Sequence, residues 1–295
     1  MATELPKNAI LIVNTASRSG AETFDPACEK LTAAGVHLID ARAVDDPAAM
    51  SGEVRAAVDR APMVIVGGGD GSLSETVDHF LGRDTVFGLL PLGTANSFAR
   101  TLGIPLDLDG AVEVIASGEA RRIDLAAIDG AYFLNNAALG LAPVVAESVP
   151  SALKRSLGRL GYLLWAGWSA ASFKAFRLRV HDGHVMHRLW ATEARIANGR
   201  FHGGIELIEN ADLESGEIVV QVVSGRSLVK LGWSYLASAV KAPSRHEAVR
   251  EFHGERMRIE TRPRMRVSID GELGPETPFE AWAVPDAVTV AAPRS

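Results

Sequence analysis

Three short stretches carry the residue types able to do chemistry. The first is Gly67-Gly68-Gly69-Asp70-Gly71-Ser72, the second Pro91-Leu92-Gly93-Thr94-Ala95-Asn96-Ser97, and the third Asp270-Gly271-Glu272. Glycine runs let a backbone approach a charged ligand where any Cβ would clash, and the amides at the head of a following helix attract phosphate. Asp70 lies inside the first run. A carboxylate beside phosphates is repulsive unless a divalent cation or a basic partner lies between them, which argues for a nucleotide carried with magnesium. A tight strand-to-helix turn capped by an Asp or Ser is the competing reading. In the third stretch, two carboxylates flanking a glycine can aim at one site across a turn, one towards a hydroxyl proton and the other towards magnesium or a basic residue. Taken alone, the same residues also read as an Asp-Gly hairpin turn.

Gly68 to Ser72 matches the GGDG[TS] signature shared by diacylglycerol kinase catalytic domains, sphingosine and ceramide kinases, NAD kinases and, more loosely, phosphofructokinases. The second loop, continued through Phe98-Ala99-Arg100, resembles the lipid-kinase pattern P-x-G-T-x-N-D-F-A-R, with Ser97 where the family usually has Asp. NAD kinases carry a different second motif. The chain therefore resembles the bacterial lipid kinases of the diacylglycerol kinase catalytic-domain family, within the NAD kinase-related superfamily.

That resemblance implies ATP and Mg²⁺ on the loops at Gly67, Gly68, Gly69, Asp70, Gly71, Ser72, Gly93, Thr94 and Asn96, with Asp70 catalytic and near the metal. Asn14 matches the family's N-P-x-[SA]-G element, and by resemblance helps hold the adenine or ribose. Asp124 is the acid of the family's I-D-L segment and joins a magnesium or water network, or caps a neighbouring turn. Asp270 or Glu272 supplies the general base. Glu75 matches a family acid, although an acid in a first helical turn is favoured regardless of function. Ser215 stands where the family's structural magnesium loop has Asp, so a hard-cation site there is weakened.

The elements that must position these residues are legible as apolar runs. Residues 9–13, 36–40, 63–66 and 86–90 read as buried strands, alternating with helical stretches at 22–34, after Asp46-Pro47, from Ser72, and at 109–117. This β-α-β-α order predicts a parallel sheet covered by helices, an NAD kinase and phosphofructokinase-like α/β nucleotide-binding domain. From Ile123 the texture changes to a second, mainly antiparallel β domain, beginning with a hairpin at Asp129-Gly130. Strands are expected at 178–181, 184–194, 196–197, 217–223 and 287–292, the last returning to the first domain in the family. The expected boundaries are 1–122 with 286–295 for the ATP-binding domain, and 123–285 for the β-rich lipid-substrate domain.

Composition bounds the function class. With 295 residues, 47% hydrophobic and 22% charged, the chain can bury a full core and is not disordered. A net charge of −6 argues against nucleic acid as a partner. The single cysteine, Cys28, reads as a small core residue and suits a reducing, cytoplasmic setting. No targeting segment stands out. Residues 150–176 interleave Lys154, Arg155 and Arg159 with Trp165, Trp168 and Phe173, which suits either an interfacial segment at the inner face of a membrane or a domain-covering helix. The arginine-dense stretch 245–266 alternates with acids and reads as a solvated face. The reading is an ATP- and Mg²⁺-dependent kinase transferring the γ-phosphate to a lipid hydroxyl, such as that of diacylglycerol or a sphingoid base. A kinase of a soluble hydroxyl compound such as NAD, a non-catalytic nucleotide-binding regulator, and assembly as a homodimer all stay open.

Overall fold

The computed structural model describes residues 4–140, 173–226 and 249–294. Most of the basic, aromatic-rich stretch 150–176 lies outside the described residues. No helix among them is long and apolar enough to cross a membrane.

The first half runs β1 (Asn8–Asn14), α1 (Gly20–Ala33), β2 (His37–Val44), α2 (Met50–Ala57), β3 (Met63–Gly68), α3 (Asp70–Val77), β4 (Val86–Pro91), α4 (Ser97–Leu102) and α5 (Leu108–Ser117). β1 pairs in parallel with β2 and β3, and β3 in parallel with β4. β3 and β4 are buried along their whole length, as a parallel sheet covered on both faces requires. Helix entries follow local chemistry. Asp46 accepts the Ala48 amide at 3.0 Å ahead of a short 3₁₀ turn, and Asp107 accepts the Gly110 amide at 2.8 Å at the head of α5.

The second half comprises β5 (Glu119–Ile128), β6 (Ala131–Phe133), β7 (Asn136–Gly140), β8 (Phe176–His181), β9 (Met186–Ala197), β10 (Phe201–His202), β11 (Ile205–Glu206), β12 (Ile218–Ser224), β13 (Val249–Gly254), β14 (Arg256–Arg262), β15 (Arg266–Ile269), β16 (Glu272–Glu276) and β17 (Phe279–Ala292). Every pairing within this half is antiparallel. β8 and β14 alternate buried and more exposed residues, the pattern of a sheet with one face in water. The hairpin at Asp129-Gly130 is present, with φ of 47° and 94°.

β17 joins the halves. Its first residues pair with β14, while Thr289 and Val290 pair in parallel with β4, and β5 runs antiparallel to it from Ala281 to Ala292. Two large apolar clusters follow, with a small third one around Leu207, Ile208 and Val219. One large cluster lies around Ile10, Ile65, Phe87 and Phe98 under the helices, and the other around Phe133, Phe176, Ile196 and Ile259 inside the β half.

Candidate active site

The two glycine loops are packed against each other because their strands are neighbours. In the β3–β4 register Gly67 faces Leu90 and Gly68 faces Pro91, so both chains turn into their helices side by side. A Cβ on Gly93 would meet the Gly69 Cα at 2.5 Å, and one on Gly68 would meet the Ser72 side chain at 2.6 Å. Gly93 is a condition of contact between the two loop backbones, and Gly68 leaves room for the Ser72 side chain. Gly71 differs, since a Cβ there would meet nothing within 4 Å and the residue is exposed.

Asp70 links the loops. Its carboxylate accepts the Ser97 amide from one oxygen and the Phe98 amide from the other, both at 3.0 Å, and so caps α4 of the second loop. Asn96, at φ 48°, accepts the Gly93 amide at 2.9 Å and donates to the Pro91 and Gly93 carbonyls, holding its loop in shape. Ser97 Oγ accepts the Gly204 amide at 3.1 Å, which ties the second loop to the Asn198-to-Gly204 loop of the β half. Asn14 donates to Ser72 Oγ at 2.9 Å, bringing the loop after β1 to the same place. Thr94 is exposed on the rim.

A cleft of about 250 Å³ opens beside these loops. One wall is a single face of α3 and the 3₁₀ turn that continues it, Gly71, Ser74, Glu75 and Asp78, at i, i+3, i+4 and i+7. The opposite wall comes from the β5–β6 hairpin with Tyr132, and from the β15–β16 hairpin with Asp270, Glu272 and Leu273. The two carboxylates of the Asp-Gly-Glu motif have different surroundings. Asp270, at φ 44°, accepts the amides of Leu134, Asn135 and Asn136 at 2.9 to 3.2 Å and the Ser74 hydroxyl at 2.9 Å. Burial pushes its carboxyl above the ordinary carboxylate range, and those hydrogen bonds only partly oppose it. Glu272 is exposed and lines the cleft. Burial and the neighbouring Glu272 charge push Glu75 up, and burial pushes up Asp78.

Both carboxylates read as metal ligands accept backbone amides. Asp70 is engaged by two amides, and Asp124 accepts the Gly216 amide at 2.6 Å and the Asp286 amide at 2.9 Å while only 3% exposed. Among the described residues no three His, Cys, Asp or Glu side chains form a metal cluster. Magnesium bound with a nucleotide needs only one or two carboxylates, and the cleft offers these in Glu75 and Glu272. Sequence reading passed over Asp78 and Tyr132. The helical spacing from Gly71 to Asp78 was the available signal for the first, and nothing local marked the second.

Comparison with known proteins agrees with this architecture. Residues 8–128 match the diacylglycerol kinase catalytic domain, and residues 135–292 match the YegS C-terminal NAD kinase beta sandwich-like domain. A diacylglycerol kinase from Staphylococcus aureus (strain bovine RF122 / ET3-1) is 28% identical over 235 residues, 79% of this chain and 75% of that protein. The solved structure of a diacylglycerol kinase from Bacillus anthracis (strain Sterne) superposes with a TM-score of 0.76 at 20% identity, covering 97% of each chain. An NAD kinase from Archaeoglobus fulgidus in complex with ATP shares the fold more distantly, with a TM-score of 0.51 at 12% identity over 96% of this chain and 93% of that one. The chain belongs to the family of kinases that joins a diacylglycerol kinase catalytic domain to a YegS C-terminal NAD kinase beta sandwich-like domain.

Proposed function

We propose that the protein is an ATP- and Mg²⁺-dependent lipid kinase that transfers the γ-phosphate to the hydroxyl of a lipid such as diacylglycerol or a sphingoid base. The observation that carries this reading is the shared cleft, in which the exposed Gly71 end of the first glycine loop faces Glu272 across about 250 Å³. Residues 1–122 and 286–295 form the ATP-binding part in this reading, and residues 123–285 the acceptor part. The glycine loops receive the phosphates on backbone amides, with Gly71 and Thr94 open to the ligand and Asn14 on the nucleoside side.

Glu272 is the general base. It is exposed in the cleft and can take the acceptor hydroxyl proton as the oxygen attacks the γ-phosphorus, which then parts from its bridging oxygen to leave ADP. Asp270 is a positioning residue, because its four hydrogen bonds fix the loop at Leu134 to Asn136 and the hairpin that presents Glu272. A magnesium ion carried with the nucleotide would supply charge neutralisation of the phosphates, and Glu75, across the cleft from the base, is the residue that would hold it. The low demand of phosphoryl transfer for covalent help fits a site with so few reactive side chains.

The test is transfer of ³²P from labelled ATP with Mg²⁺ into a total lipid extract in mixed micelles, run beside Glu272→Gln. A labelled organic-phase product that falls about 10²- to 10⁴-fold in the variant is the expected result. ATP binding with no labelled lipid would overturn the proposal in favour of a soluble acceptor or a regulator.

A further inference from the structure

The water-facing side of the β half concentrates arginine in a way its strand pairing does not need. Register sets Arg177 of β8 opposite Arg262 of β14, and Arg179 of β8 opposite Arg188 of β9. Like charges directly opposite in a sheet are destabilising; Arg179 has Glu260 opposite it on β14, whereas the Arg177–Arg262 pair asks for a counter-charge from outside. Arg177, Arg179, Arg262 and Arg264 line a pocket of about 270 Å³ whose one carboxylate is Glu260. Glu260 is already engaged, by Arg258 Nε at 3.2 Å and Arg179 Nη1 at 3.5 Å. Among the described residues, Arg177, Arg262 and Arg264 form no ion pair. The pocket is therefore strongly positive on a chain whose net charge is −6.

What surrounds the pocket narrows the partner. The guanidinium groups of Arg177 and Arg226 lie over the Trp190 ring, 5.3 and 4.5 Å from its centroid. Met186 shares the face of Arg188 and Trp190 by strand alternation, and with Val185 it leaves an apolar hairpin tip 37% and 53% exposed. Planar guanidinium forks match phosphate oxygens, while an indole and exposed aliphatic side chains suit the boundary between headgroups and acyl chains.

We propose that this face docks on an anionic lipid bilayer, with the four-arginine pocket taking a lipid phosphate. The pocket is built on β8, β14 and the turn after it, whereas the cleft is built on α3 and the β5–β6 and β15–β16 hairpins. Docking is therefore independent of the reaction proposed above and is read without it.

The experiment is flotation of the full chain with vesicles of phosphatidylcholine alone or mixed with phosphatidylglycerol, at low and high salt. Binding to the anionic vesicles only, weakening with salt, is expected. Arg177→Gln/Arg262→Gln/Arg264→Gln is expected to lower the partition coefficient about 100-fold, at about fivefold per arginine. Arg264→Gln alone, outside the strands, is expected to lower it about fivefold and guards against a triple variant that misfolds. Lys154→Gln/Arg155→Gln/Arg159→Gln removes the same charge from the basic stretch 150–176 and is expected to retain more binding than the pocket variant. Unchanged flotation of the pocket variants would overturn the proposal, as would an equal loss in the 150–176 variant. Pocket-dependent binding of inorganic phosphate or glycerol phosphate without vesicle binding would also overturn it, in favour of a soluble ligand.

Discussion

Ser74 Oγ, on the helix that follows the first glycine loop, donates a 2.9 Å hydrogen bond to Asp270 Oδ2, 196 positions further along the chain. This contact joins the two walls of the cleft directly. It also completes a set of four donors around one carboxylate, the other three being backbone amides of Leu134, Asn135 and Asn136.

Ser74→Ala is expected to destabilise the fold by about 1 kcal/mol, the net worth of one hydrogen bond. Asp270→Ala strands three amides and places alanine at φ 44°, so a loss of ~3 kcal/mol or more is expected. Asp270→Asn tolerates that backbone and keeps one acceptor, and falls between the two. Denaturant unfolding ranks the three variants, and equal stabilities for the Ala and Asn forms would contradict the positioning role.

The glycine loops give a paired test. Gly93→Ala drives a methyl to within 2.5 Å of the Gly69 backbone, so a loss of about 1–3 kcal/mol and of nucleotide binding together is expected. Gly71→Ala adds its methyl to open space, and its melting temperature is expected to stay put while affinity for an ATP analogue falls. Calorimetric titration and thermal melting of both variants separate packing from ligand contact.

Asp70→Asn discriminates a helix cap from a metal ligand. The carboxamide turns an NH₂ towards one of the amides of Ser97 and Phe98, and a loss of about 1–2 kcal/mol without nucleotide is expected. A variant of full stability whose only defect is a higher magnesium requirement would show that the carboxylate serves the cation instead.

Acid is expected to weaken the fold through two histidines. Burial holds both His79 and His202 below the ordinary histidine range. Unfolded, each takes up a proton near pH ~6.5, and folded only at lower pH. In that window the unfolded state binds more protons, so stability falls as pH drops below about 6.5. Melting temperatures across about pH 5 to 8 read this slope, and His202→Gln is expected to flatten it by up to one proton's worth.

Strand-loop-helix joints were readable because each apolar run is continuous and ends in glycine. The hairpin at Asp129-Gly130 was readable because few residues accept positive φ in succession. Residues 182–185 were harder. Their alternating polarity continues the next strand, yet Asp182 accepts the His184 and Val185 amides and makes them a turn, so β9 starts at Met186. The partners of Asp70 and Asp124 were hidden for another reason. A capping acid is recognisable by type, but its amide donors lie 27 and 28 positions away for Asp70 and 92 and 162 for Asp124, where no local pattern points. The arginine face was hidden likewise, since 245–266 read as mixed charge until register set its members against β8.

β5 and β17 together make a two-strand ribbon that passes from one half of the molecule into the other. The ribbon has one flaw, a register shift between Val284 and Val288, and the Asp124 carboxylate grips the Asp286 amide there while its other oxygen holds Gly216. The halves are thus coupled by a long paired ribbon, and Asp124 is the pin at its one irregular point. Asp124→Ala is expected to leave the Asp286 and Gly216 amides unpaired at that shift, and so to weaken the tie between the halves at a point remote in sequence from both Glu75 and Glu272.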